Sequence, residues 1–286
     1  MFGGFKRWLF NLLVFVLFKV FCYNKIMADY IALRKGRNIL SSFVHVVLNI
    51  LLGFGSIVVT VITGNWIIGI VLVLISKWRI FAVRPRYWWL NLRSNLVDLI
   101  VGASFVLLAF YAGSNWLPVH WILAVGYTIW LVLIKPRSSE GATEVQALIA
   151  VFLGMSAASV IVGGIDSIWL TVSAFIIGYA SSRHILVQSD DQDFASLTSI
   201  CGLVFAEIAW LCHSWLIVYK IPAFNIVIPQ LAIVSTVIAF LAIRMYRSIT
   251  NRDGVLRIAD VAIPLIFGIA LIAIMIIWFS RPAFDI

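Results

Sequence analysis

From Ile39 onward the chain alternates long apolar stretches with short polar links. The stretches run about 18 to 24 residues, the length a helix needs to cross roughly 30 Å of hydrocarbon. This pattern predicts an all-α transmembrane bundle with nine spans, at 40–63, 65–83, 95–113, 116–134, 144–163, 167–186, 196–219, 224–245 and 258–279. Residues 39–286 then form a single transmembrane domain. Residues 1–38 precede it as a hydrophobic helix followed by a basic segment. Trp8–Phe18 has Lys6 and Arg7 before it and Lys19 after it, with no small-residue cleavage site. Such a helix fits the membrane interface, with a tenth crossing as the alternative.

Three links are tight: Thr63-Gly64-Asn65, Gly113-Ser114-Asn115 and Gly163-Gly164-Ile165. Glycine and asparagine tolerate the left-handed backbone such turns require. Trp66, Trp116 and Trp169 follow them, at the level of an interfacial aromatic belt. The turns recur about every 50 residues, as do Arg84-Pro85-Arg86 and Lys135-Pro136-Arg137, which suggests successive helical hairpins.

Composition agrees with a membrane protein: 63% of the 286 residues are apolar, and mean hydropathy is +1.07. Too much apolar surface is present for a soluble core to hide. The net charge of +9 is organised rather than diffuse. With segment 24–38 placed inside, sixteen cations fall in the inner links and only Lys220 and Arg281 outside. That is the positive-inside pattern, so the balance points to anionic headgroups and not to nucleic acid. Loops 24–38, 77–94, 135–143, 187–195 and 246–257 are then cytoplasmic, the C-terminus is outside, and the site is the inner membrane.

The densest inner stretch is Lys77–Asp98. There Lys77, Arg79, Arg84, Arg86 and Arg93 alternate with Trp78, Tyr87, Trp88 and Trp89. These cations, with Trp88 and Trp89, are candidates for docking lipid headgroups or a protein partner. Asp98, Glu144 and Asp260 each begin a span, where the helix dipole and loop cations would stabilise them. Asp190, Asp191 and Asp193 make the loop 187–196 locally acidic, which fits a solvated loop better than a metal site.

Inside the spans, Glu207 is the sharpest anomaly, because a carboxylate at mid-membrane is expensive. It is a candidate proton or coupling site, with His213, His120 and Gln230 as candidates along a path to it; separate helix contacts are the alternative for all four. His45 and Asn49, four residues apart, suggest interhelical contact. Gly202, Ala206, Ala209 and His213 share one close-packing face on the helix of Glu207, and Gly154, Ser156 and Ser159 mark another. Cys22, Cys201 and Cys212 are scattered in apolar runs without metal or disulfide spacing. Motifs for hydrolysis, nucleotide binding or dinucleotide binding do not occur, so neither an enzyme nor a cofactor is expected.

Residues 116–160, WLPVHWILAVGYTIWLVLIKPRSSEGATEVQALIAVFLGMSAASV, resemble the membrane domains of the fusaric acid resistance-like (FUSC) and aromatic acid exporter proteins. His120-Trp121 stands for their aromatic–Trp pair, Lys135-Pro136 with Gly141-Ala142-Thr143 for the loop, and Gly154-Met155 for Gly-Thr. The arginine of that signature is missing, Met155 replaces threonine, and no soluble domain accompanies it. The resemblance implies efflux of amphiphilic organic acids. As a whole the chain also resembles multi-span membrane proteins of small-genome bacteria. The expectation is therefore a permease-like transporter of a small or amphiphilic solute. The alternatives are an assembly subunit docking through 77–98, and a lipid-acting membrane enzyme.

Overall fold

The computed structural model describes residues 39–80, 82–113, 117–162, 166–187, 194–214, 217–221, 226–250 and 257–282. The helix expected at 8–23, the basic segment 24–38, Trp116, the Gly163-Gly164 turn and the Asp190–Asp193 cluster lie outside the described residues. Contacts divide the chain into units 1–48 and 49–286. The first contributes only the start of one helix to the description; everything below concerns the second.

Ten helices occupy the described residues: α1 (Ile39–Thr63), α2 (Trp66–Ser76), α3 (Trp88–Ser94), α4 (Leu96–Tyr111), α5 (Leu117–Ile129), α6 (Glu140–Val162), α7 (Ser167–Leu186), α8 (Phe194–His213), α9 (Gln230–Thr250) and α10 (Ile258–Phe279). The all-α expectation holds for the bulk of the fold, and each expected span has a helix in its place. Span length differs. Phe43–Thr63, Glu140–Ile161, Phe194–His213 and Gln230–Thr250 are long and apolar enough to cross a membrane, and the bent pair Pro85–Ser94 with Leu96–Tyr111 would add a fifth. The helix α2 has only 11 residues, about 16 Å of rise. It ends at Ser76; Lys77 caps it, its N–H donating to Leu74 O at 2.9 Å, and its ammonium meets Asp98.

Glycine closes two turns as the sequence predicts. Gly64 has φ 59° and Gly113 φ 73°, conformations that a side chain disfavours. Asn65 then caps α2, its Oδ1 accepting from Ile67 N at 2.9 Å.

Residues 217–219 and 226–229, expected in helices, are extended instead. Strands β1 (Ile217–Ile221), β2 (Ile226–Pro229) and β3 (Ser280–Pro282) form an antiparallel sheet in the order β2-β1-β3. Tyr219 pairs with Ile228 on one side and Ser280 on the other. Ile217, Val218, Ile226, Val227 and Ile228 are branched at Cβ and favour the pleat. Pro229 ends β2, so α9 starts at Gln230 and no helical hydrogen bond is lost to the proline.

Two apolar clusters form the core. One gathers Ile57, Val73, Val101, Phe105, Tyr127 and Trp130 from α1, α2, α4 and α5. The other gathers Val151, Met155, Leu170, Phe205 and Leu231 from α6 to α9. Between α7 and α8 the packing is reciprocal. A Cβ on Gly178 would fall 2.6 Å from Phe205 Cδ2, and one on Gly202 would fall 2.9 Å from Phe175 Cε2. The close-packing face expected at Gly202, Ala206 and Ala209 is buried accordingly.

Candidate functional site

The strongest polar constellation lies where α2, α4 and α5 end on one side. Asp98 stands in the first turn of α4 and is only 8% exposed. Its Oδ2 meets the Lys77 ammonium and, at 2.7 Å, that of Lys135. Its Oδ1 accepts from Trp130 Nε1 at 3.0 Å. After Ile129 the helix α5 widens into a π turn, Trp130–Ile134, closed by Lys135 N to Trp130 O at 2.8 Å. Residues five apart on an α-helix diverge by about 140°. The wider turn narrows that angle, so Trp130 and Lys135 reach the same carboxylate.

Lys77 is 7% exposed, whereas Lys135 keeps contact with solvent. One carboxylate cannot fully offset two ammonium groups. Burial, and then the adjacent Lys135 ammonium, pull Lys77 down to about 6. Burial also lowers Lys135. Lys77 is thus part of the interior rather than of an accessible docking surface.

A second hub sits beside it. Buried Gln146 donates through Nε2 to Ile134 O at 2.7 Å, which also accepts from Arg137 N, and to Arg137 O at 2.9 Å, tying α6 to the π turn and the link after it. Its Oε1 accepts from His184 Nε2 at 2.8 Å. Neither residue stands out in the sequence; a lone Gln in the apolar run of α6 was the available signal. Arg247 reaches Glu144, and Glu140 at 3.6 Å. Ser248 Oγ donates to Asp260 Oδ2 at 3.1 Å. The carboxylates expected at helix starts therefore have partners as well as dipoles.

Next to this polar end lies a cavity of about 350 Å³ between α6, α7, α8 and α9, partly open and almost wholly apolar. Val151, Ser181, Ser182, Phe205, Ala242 and Tyr246 are among the residues that line it. Ser182 Oγ donates to Gly178 O at 2.8 Å. Ser181 is 3% exposed, and its Oγ has no hydrogen-bond partner. A buried hydroxyl normally finds one.

The residues singled out within the spans do not converge. Glu207 lies on the exposed face of α8, among exposed Ile200, Leu203, Val204, Trp210 and Leu211, and does not line the cavity. Because α8 ends at His213 and not at 219, Glu207 is about 9 Å from the helix end rather than near mid-span. His120 is buried, and its Nε2 donates to Ala109 O at 3.0 Å, tying α5 to α4. His213 closes α8 and Gln230 opens α9. Among the described residues no hydrogen bond joins any two of these four.

In the basic stretch, Arg79 falls in the 3-10 turn Trp78–Ile80. Residues 82–90, including Arg84 and Arg86, are exposed. Trp89 is exposed and carries the Arg93 guanidinium 4.7 Å over its ring, while Trp88 Nε1 donates to Val83 O at 2.9 Å. Segment Pro85–Ser94 is bent 66° from α4. Among the described residues no three His, Cys, Asp or Glu side chains gather as a metal site.

No family model, curated protein or solved structure matches the chain.

Proposed function

We propose that this chain is a polytopic inner-membrane protein of permease type that moves an amphiphilic solute through the cavity between α6 and α9. The observation that carries the reading is the cavity itself: large enough for a small ligand, apolar, and set within helices that lipid solvates. It favours an amphiphile over an ion or a sugar, since its wall offers few polar groups. The resemblance of residues 116–160 to aromatic acid exporter domains points the same way.

Nine crossings, by α1, α2 and α4 to α10, are supported by how the helix ends meet. The Lys77–Asp98–Lys135, Gln146–His184 and Glu144–Arg247 contacts all join ends that the charge pattern places inside. The sheet joins links that it places outside. The short helix α2 then crosses where the basic stretch dips to meet it.

The test is flux of a fluorescent amphiphile in proteoliposomes. Ala242→Trp fills the cavity and should abolish transport while helical content is kept. Undiminished flux in that variant would refute the reading.

A second reading has its own support. Exposed Arg84, Arg86, Tyr87, Trp89 and Leu90 on a segment bent away from α4 suit an assembly surface at the headgroup level. Under that reading, cross-linked partners disappear when Arg84 and Arg86 become Glu; their persistence counts against it.

A further inference from the structure

We infer that the exposed face of α8 is an interface with a second copy of this chain. Two α8 helices lie side by side across a two-fold axis along the membrane normal, and Glu207 of each accepts from the Trp210 indole of the other. The first support is the spacing of what α8 leaves uncovered. Thr198, Gly202, Phe205, Ala206 and Ala209 are buried inside the bundle, with Gly202 and Phe205 interlocked with α7. On the opposite side Ser196, Ile200, Leu203, Glu207 and Trp210 are all exposed, at alternating steps of four and three residues. That is the spacing by which two helices pack along a left-handed seam, and a single polar residue within such a seam fixes its register and the number of helices. Here that residue is Glu207.

Lipid can cover Ile200 and Leu203 but not Glu207, because hydrocarbon brings no donor to a carboxylate. Among the described residues neither Glu207 nor Trp210 has a hydrogen-bond partner. One is an acceptor and the other a donor, on one stripe and about one turn apart. A patch that carries both halves of a bond, offset along its own length, is complementary to itself under a two-fold rotation. Copies inserted the same way round hold their Glu207 residues at the same depth. Helical side chains lean toward the N-terminus, so the ring of Trp210, whose backbone lies about 4.5 Å further along, drops toward the level of Glu207 across the seam. The chain uses the same pairing inside the bundle, where Trp130 Nε1 donates to Asp98 Oδ1 at 3.0 Å. A helix of another protein would need its own donor at that depth; a second copy brings one already, and each bond is made twice.

The experiment follows energy transfer between full chains that carry a donor or an acceptor fluorophore on a terminal tag. They are reconstituted together in phosphatidylcholine vesicles and diluted with lipid. The expected result is a reversible dimer, with transfer that rises linearly with the acceptor fraction. Trp210→Phe keeps a ring and deletes the N–H donor, and Glu207→Ala deletes the acceptor. Each should weaken association roughly tenfold, because one interhelical hydrogen bond in a membrane is worth about threefold and the symmetry removes two. The double variant should associate about as well as the weaker single, since both changes remove the same bonds. If Glu207→Ala loses its helical circular dichroism, Trp210→Phe carries the test. Transfer no greater than random mixing for the wild type, wild-type association by Trp210→Phe, or additive losses in the double variant would overturn the inference. A monomeric chain that instead retains another membrane protein, and releases it on Glu207→Ala, would overturn it too and give the face to that partner.

Discussion

Replacing Asp98 by Ala tests the ionic cluster most directly. Measured at about pH 5, below the value near 6 at which Lys77 gives up its proton, the change leaves the Lys77 and Lys135 ammonium groups facing each other and orphans the Trp130 indole N–H. Breaking a buried ion pair by removing one partner typically costs about 3–5 kcal/mol, because the other charge stays behind. Lys135 is more than a third exposed, and water screens it, so its share is small. Lys77 already sheds its proton readily, and by deprotonating it relieves part of the remainder. The net expectation is a loss of about 3 kcal/mol. At about 2–4 °C per kcal/mol for a chain of this size, the melting temperature in detergent should fall by roughly 6–12 °C. Adding Lys77→Met should recover most of that loss, since an apolar pair replaces a charged one at little cost. A fall below about 2 °C for Asp98→Ala, or a double variant less stable than the single, would refute the account of the cluster.

Three further outcomes follow. Lys77 titrates near 6 when folded and near 10.5 when unfolded, so the unfolded chain binds more protons between those values; stability should rise with pH across that window, and Lys77→Met should flatten the slope measured by thermal melts. Gly178→Ala drives a methyl into Phe205 and should destabilise by about 1–3 kcal/mol, with Phe205→Leu in the same chain restoring part of it; additive losses would mean the contact is not the cause. Glu207→Gln should leave amphiphile flux within about twofold of wild type, because Glu207 lies off the cavity; a large loss in the flux assay would return the coupling role to it.

Helix positions were legible because long apolar runs and Gly-Asn turns signal independently of tertiary context. The strands were not. Short runs such as Ile226–Ile228 fit a buried helix and a buried strand equally well by periodicity, and only Pro222 and Pro229 hinted at the break. Asp98 was visible as a helix-start carboxylate. Its partners lie 21 and 37 residues away, and the π turn that brings Lys135 to it leaves no mark in the hydropathy. The cavity was also hidden, because it arises where small residues such as Ala239 and Ala242 fail to fill the space between helices. Glu207 drew attention by its chemistry alone, and chemistry does not disclose which way a helix faces.

The interlocked glycines and phenylalanines of α7 and α8 have a mechanical consequence. Each helix seats an aromatic ring in a notch of the other, so sliding or rotation of one past the other would drive ring atoms into backbone. The two helices therefore behave as a single stiff lever. Compliance in this half of the molecule is left to the seam with α9, where unfilled volume lets a helix move without first expelling its neighbours.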